Sequence, residues 1–307
     1  MAKKKILITG SSGMLGIDLV SLLSQNYDVV CTDIAKSRNP ILKGKDFIKC
    51  DITNRKNTVN MVKKSKASIV MHTAAWTDVD GCELDEEKAM KINFEGTHNI
   101  ALGCKESKAI IFYIGSDFVF DGNKNEPYRE DDATNPLNVY GLSKLKGEEA
   151  IRKELDKYFI IRASWLFGKN GKNFVDIVTD KAERKRKLKV VMDQFGSPTF
   201  TKDLSRAIEN LVSLMLKNKS IGGVYHFCNS GSCSWYRYAE QILKIIGRAE
   251  IGISPITSIE LDRPAARPRM SILDTTKYSQ TCSEKPRNWE SALRDYLTSK
   301  VPQKRRY

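Results

Sequence analysis

No stretch of the sequence approaches the ~18 consecutive apolar residues of a membrane span. Its N-terminus, "MAKKKILITG", passes directly into a strand-like segment, without the apolar region or cleavage site of a signal peptide. The expectation is a soluble, cytoplasmic protein without a membrane partner. No Cys-x-x-Cys pair occurs among the seven cysteines, and an odd scatter of this kind fits reduced thiols better than a disulfide framework or a zinc cluster. The three histidines, His72, His98 and His226, stand apart from one another and from carboxylates at ligand spacing, so no metal is expected. Repeats, low-complexity tracts and long linkers are also missing.

The chain is nonetheless strongly basic, with a formal net charge of +14. The excess gathers in "MAKKK", "KAERKRKLK" and the terminal "KRRY", which lack the interleaved aromatics needed to stack single-stranded bases. Nucleic acid is therefore not the expected partner. The charge reads as a solvated surface that helps draw in a phosphorylated ligand. With 307 residues, 41% of them hydrophobic, the chain can bury a large core in one big or two moderate domains.

"KKILITG" reads as a buried strand that delivers the chain into "GSSGMLG" and the helical "IDLVSLLSQ". Three glycines in that context form a phosphate-binding turn. Gly10 permits the tight turn, Gly13 lets backbone N–H groups approach a pyrophosphate, and Gly16 lets helix and strand pack closely. Met14 and Leu15 complete the cofactor loop, and the positive end of the helix dipole faces the phosphates. A second strand, "YDVVCTD", ends in Asp33 and Ile34, where an acid meets the adenosine ribose hydroxyls. Asp33 favours NADH by repelling a 2′-phosphate, whereas Lys36 and Arg38 suit the phosphate of NADPH, and both cofactors stay open.

"VYGLSKLKGEE" places Tyr140 and Lys144 one helical turn apart. Spacing alone is weak, because Tyr296 and Lys300 repeat it near the C-terminus. Only the first pair follows an apolar strand, "AIIFYIGSDFVFDG", that ends in a hydroxyl, Ser116. Hydride transfer to a ketone leaves negative charge on oxygen, which calls for a proton donor and a hydrogen-bond donor. Tyr140 is the expected acid and Ser116 the second donor. Lys144 is expected to lower the phenol pKa from near 10 and to hold the nicotinamide ribose.

The Gly-x-x-Gly-x-x-Gly spacing resembles the extended branch of the short-chain dehydrogenases/reductases. That resemblance implies adenine contacts at Asp51 and Ile52 in "DFIKCDITN", and a wall beneath the nicotinamide half at Ala74, Ala75 and Trp76 in "ASIVMHTAAWTDVD". It also implies a cofactor-side role for Asn93, carried by an amphipathic helix "KAMKINFEGTHNIA". Sugar-nucleotide dehydratases of this branch carry Thr-Asp-Glu at the strand end. Here the residues are Ser116, Asp117 and Phe118, which argues against dehydration.

"RASWLFG", "DQFGSPT", "GVYHFCNSGSCSWYRYAEQIL" and "RPRMSILD" resemble, in sequence and order, the dTDP-4-dehydrorhamnose reductase family over nearly the whole chain. The implied activity is NAD(P)H-dependent reduction of a 4-keto nucleotide sugar. Ser116 and Asp117 would touch the sugar, and Trp165 would pack on the sugar or its nucleotide. Gln194 and Arg267 would line the substrate pocket, Arg267 because a guanidinium fork suits a diphosphate. Serine replaces the usual threonine at 116, and Phe118 replaces the usual tyrosine. The other readings are a cofactor-binding regulatory subunit like that of methionine adenosyltransferase, and a reductase or epimerase of another nucleotide sugar.

The implied fold is α/β: a Rossmann-type doubly wound parallel sheet with a smaller α+β substrate-binding domain. Residues 1–165 form the dinucleotide-binding domain, with 200–229 returning to it, and 166–199 with 230–307 form the substrate-binding domain. The resemblance allows a homodimer. No metal enters, because the glutamates that hold magnesium at a dimer contact in some relatives have no clear match here.

Overall fold

The computed structural model describes residues 3–300 apart from 36, 185 and 219. Lys36 and the "KRRY" terminus therefore lie outside the described residues. Short runs of aliphatic residues build one sheet from β1 (Lys5–Thr9), β2 (Asp28–Asp33), β3 (Asp46–Lys49), β4 (Ile69–His72), β5 (Ile110–Ser116) and β6 (Tyr158–Ala163). The strand Gly223–His226 completes it beside β6. The order is β3-β2-β1-β4-β5-β6 and then 223–226, with every neighbouring pair parallel. Burial on both faces explains why these strands read as continuous apolar runs rather than alternating ones.

The pleat still divides the side chains between two cores. Ile6 and Ile8 of β1 join Leu19 and Val20 of helix α1 (Met14–Leu23) and Leu204 and Leu211 of the helix Thr201–Lys217. Leu7 points to the opposite face, with Val62 of α2 (Arg55–Ser65), Ile100 of α5 (Gly96–Ser107) and Ile151 of α6 (Val139–Glu154). Strand order reverses between β1 and β4, which opens a crevice at the carboxyl ends of the strands.

A separate core holds Phe167, Val178, Tyr238, Ile242, Trp289 and Leu293. It lies among the helices Phe174–Glu183, Trp235–Ile245 and Trp289–Thr298, beside a parallel pair of strands, Leu188–Val191 and Ile253–Ile256. Tyr296 and Lys300 belong to this part. The Tyr296 hydroxyl donates to Asp176 at 2.8 Å and Lys300 pairs with the same carboxylate, so the second Tyr-Lys spacing is a structural anchor.

The segment 88–101 departs from the single amphipathic helix expected of it. After α3 (Val79–Leu84) and α4 (Glu86–Ala89), the turns Met90–Glu95 are wound as a π-helix before α5 begins. The wider turn accompanies an inward Asn93, whose amide nitrogen donates to the Trp76 carbonyl at 3.0 Å and to Ser143 Oγ at 3.1 Å. The seven cysteines, all within the described residues, form no disulfide. No helix among the described residues is long and apolar enough to cross a membrane.

Candidate active site

The turn after β1 is shaped by close approach. Gly10 adopts φ 65°, and a Cβ there would stand 2.7 Å from the Ala74 nitrogen; one on Gly16 would stand 2.1 Å from the Gly10 carbonyl oxygen. Gly13 caps α1 without a side-chain hydrogen bond, so the first N–H groups of the helix have no side-chain partner of their own from the cap. Gly10, Gly13, Asp33, Ile34, Asp51, Ile52, Ala74, Ala75 and Trp76 line one groove of about 580 Å³. Met14, Leu15 and Gly16 stand behind it as the first residues of α1, with Leu15 and Gly16 buried.

Asp33 is fixed in that groove. Its Oδ2 accepts from the Ser12 nitrogen at 3.0 Å and its Oδ1 from the Ile34 nitrogen at 2.8 Å. Asp51 accepts instead from the Thr53 nitrogen and hydroxyl, at 2.9 and 2.8 Å. Asn93 does not line the groove; it acts through Trp76, donating to its carbonyl and accepting from its nitrogen at 2.8 Å. Lys88 lies 4.1 Å from the centre of the Trp76 ring. Glycines at the turn, an uncapped helix start and an acid at the end of β2 together fit an adenine dinucleotide.

The catalytic candidates meet at the end of β5. Asn138 caps α6, accepting from the Gly141 nitrogen at 2.8 Å, so Tyr140 opens the helix. A Cβ on Gly141 would stand 2.1 Å from the Phe118 carbonyl oxygen, and only glycine lets α6 come this close to the strand end. The phenol of Tyr140 lies near the Ser116 hydroxyl, and its ring meets Phe118 edge-on at 5.8 Å. Ser116 in turn donates to Asp117 Oδ1 at 3.2 Å and accepts from the Phe118 nitrogen at 3.1 Å.

The electrostatics correct one expectation. Burial pushes the Tyr140 phenol up beyond its ordinary 10, with the nearby Ser116 hydroxyl opposing that rise and the Asp117 charge adding to it. Lys144 does not bring the phenol down here because burial discourages its own charge, lowering it from 10.5 to about 7, with Glu148 opposing. Its Nζ rests 4.2 Å from the centre of the Tyr113 ring. Asp117, buried and carrying an Oδ2 without a hydrogen-bond partner, is raised to about 7 by desolvation, with the nearby Ser271 and Ser116 hydroxyls opposing. His72, between Thr9 and Thr97 hydroxyls, is held neutral by burial and then by Lys144, at about 3.

A second cavity of about 270 Å³ is lined by Trp165, Gln194 and Arg267 together with Phe118, Trp235 and Ser271. Ser116 and Asp117 do not line it themselves; Phe118, against Tyr140, and Ser271, near Asp117, connect it to the cluster. Trp165 takes φ 47°, an unusual conformation for a bulky residue, and stacks on Trp235 with ring centres 3.5 Å apart. Gln194 donates to Ser258 Oγ at 2.9 Å. Arg267 donates to Asp80 Oδ1 at 2.8 Å rather than standing free. Trp235 and Asp80 escaped the sequence reading; Trp235 sits just after the helix-capping Ser234, where an aromatic reads as ordinary core.

The parallel sheet, the glycine turn and the Tyr140–Ser116–Lys144 cluster define the class as that of the extended short-chain dehydrogenases/reductases. More narrowly, the chain belongs to the RmlD substrate binding domain family, whose profile matches residues 4–301. It is 38% identical over 294 residues to the spore coat polysaccharide biosynthesis protein SpsK of Bacillus subtilis, covering 95% of this chain and 96% of that one. It is 35% identical over 288 residues to a dTDP-4-dehydrorhamnose reductase of Streptomyces griseus, covering 94% and 91%. Among solved structures, the dTDP-4-dehydrorhamnose reductase of Bacillus anthracis in complex with NADP superposes with a TM-score of 0.88 at 33% identity, covering 97% of this chain and all of that one.

Proposed function

We propose that the protein is a cytoplasmic NADPH- or NADH-dependent reductase of the 4-keto group of a nucleotide sugar, with dTDP-4-dehydro-L-rhamnose giving dTDP-L-rhamnose as the leading reaction. The observation that carries this reading is the gathering of Tyr140, Ser116 and Phe118 at the end of β5, where Phe118, edge-on to Tyr140, also lines the Trp165 cavity. In this reading the chain divides into a dinucleotide part, 1–165 with 200–229, and a substrate part, 166–199 with 230–307, and the reacting groups belong to the cleft between them.

The groove lined by Gly10, Gly13, Asp33 and Trp76 would hold the reduced nicotinamide cofactor, which would supply a hydride to the sugar carbonyl carbon. Tyr140 gives its phenolic proton to the carbonyl oxygen, while Ser116 donates a second hydrogen bond to the same oxygen. A protonated Lys144, one helical turn further along α6, would steady the phenolate that results and would hold the ribose hydroxyls of the cofactor. Asp117, with its unpartnered Oδ2, accepts a sugar hydroxyl, and Trp165 with Trp235 offers a flat apolar wall to sugar or base. Gln194 and Arg267 bind the nucleotide end, with the Arg267 fork toward the diphosphate.

The test is to follow NADPH and NADH absorbance with purified protein and a panel of 4-keto-6-deoxy nucleotide sugars. Turnover of the dTDP-linked 4-keto sugar is expected. Cofactor binding with no turnover across the panel would replace the enzyme reading with a regulatory one.

A further inference from the structure

The segment 263–271 crosses the cleft, and its attachments lie on both sides of it. At one end Arg263 Nη1 donates to Asp80 Oδ2 at 2.9 Å and Arg267 Nη2 to Asp80 Oδ1 at 2.8 Å. The Ala265 nitrogen also reaches Asp80 Oδ1, at 3.4 Å. Asp80 belongs to α3, four residues beyond Trp76 of the dinucleotide groove. Beside it, Asn138 Nδ2 donates to the Ala266 carbonyl at 2.6 Å, and the same Asn138 caps the helix that carries Tyr140. At the other end, the Arg269 carbonyl accepts from the Phe195 nitrogen at 2.8 Å, and the Ser271 nitrogen donates to the Phe195 carbonyl at 2.9 Å.

Four residues of this segment, Arg263, Arg267, Pro268 and Ser271, line the Trp165 cavity. Arg267 uses one donor on Asp80 and another on the Ala265 carbonyl, at 2.7 Å, which fixes the plane of its guanidinium and leaves its other N–H groups for an anionic oxygen. An arginine held in place this way loses less side-chain freedom when it binds than one that must be gathered from solvent. Asp80 is itself only 17% exposed in its side chain, and no described acid other than Asp80 pairs with Arg263 or Arg267.

We propose that Asp80 is a positioning residue for nucleotide-sugar binding: it clasps the 263–267 segment to the dinucleotide side and presents the Arg267 fork to the diphosphate of the ligand. The inference rests on the reading of the Trp165 cavity as the nucleotide-sugar site, and names a residue on the opposite side of the cleft that sets its affinity. Asp80 touches neither substrate nor cofactor in this account, so its effect falls on ground-state binding rather than on proton transfer.

The experiment is calorimetric titration of dTDP into the full-length protein saturated with NADPH, comparing wild type, Asp80→Asn, Arg267→Lys and the double variant. Asp80→Asn is expected to weaken dTDP by about five- to twentyfold, with NADPH affinity changed by less than about twofold. Adding Arg267→Lys to Asp80→Asn should cost much less than Arg267→Lys alone, because the two share one interaction. Unchanged dTDP affinity in Asp80→Asn, an equal loss of NADPH affinity, additive effects in the double variant, or a wild type that does not bind dTDP would each overturn the proposal. Binding of dTDP without turnover of any 4-keto sugar would reject the reductase reading and leave the clasp standing.

Discussion

The Ser116 hydroxyl at the end of β5 stands near the Tyr140 phenol at the start of α6 and opposes the rise in pKa that burial imposes on it. The pairing sets a helix residue beside a strand residue 24 positions earlier, and in the proposed reaction both hydroxyls serve one carbonyl oxygen. Tyr140→Phe is expected to lower kcat by about a hundred- to ten-thousandfold, with cofactor affinity nearly unchanged. Ser116→Ala, which removes one donor, should lose about a hundredfold or less. Stopped-flow reduction with NADPH and fluorescence titration of the cofactor check both.

Two buried ionisable groups give opposite stability windows. Lys144 is lowered from 10.5 to about 7, so the unfolded chain holds the extra proton between those values and stability rises with pH across that window. Lys144→Met should therefore stabilise the protein most below pH 7, and lose that advantage toward pH 10.5. Asp117 is raised from 3.8 to about 7, so the folded chain holds the extra proton and stability falls as pH rises through that window. Asp117→Asn should stabilise most above pH 7, by roughly 1–3 kcal/mol. Thermal unfolding from pH 4 to 10 reads both, and catalysis should be lost in each variant.

Glu148 is fully buried one turn beyond Lys144 and accepts from Arg162 Nε at 2.9 Å and Nη2 at 2.7 Å. The pair ties α6 to β6 just beneath Ser116, where a Cβ on Gly115 would press 2.9 Å from both partners. Glu148→Gln leaves Arg162 buried without its counter-charge and should cost about 3–5 kcal/mol in denaturant unfolding. Replacing both residues with apolar ones of similar size should cost less than either single change.

Features set by local geometry were legible in the sequence. Gly10 and Gly16 had to be small because a turn and a helix approach each other within a few residues, and the strand before them fixed the context. The parallel sheet followed from apolar runs alternating with helical ones. Tyr140 could be separated from Tyr296 because only the first followed a strand ending in a hydroxyl.

What the sequence concealed depends on distant partners. Arg267 and Asp80 lie 187 positions apart, and nothing local to either marks the pair. Trp165, expected as a wall for the sugar or its nucleotide, lines the cavity and also stacks on Trp235, a partner 70 positions away that nothing local to it marks. The direction of the Tyr140 shift was misjudged because spacing supplies the neighbouring ammonium but not the burial that outweighs it. The π-helix at Met90–Glu95 left no periodic signal, since it changes the winding over a single short stretch.

The most direct measurement follows deuterium from the transferable position of reduced cofactor into dTDP-4-dehydro-L-rhamnose, comparing wild type with Tyr140→Phe by mass spectrometry of the product. Wild type should place one deuterium on the former carbonyl carbon, and Tyr140→Phe should place almost none in the same time while still binding cofactor. Undiminished transfer by Tyr140→Phe, or no transfer by a wild type that binds both ligands, would contradict the account.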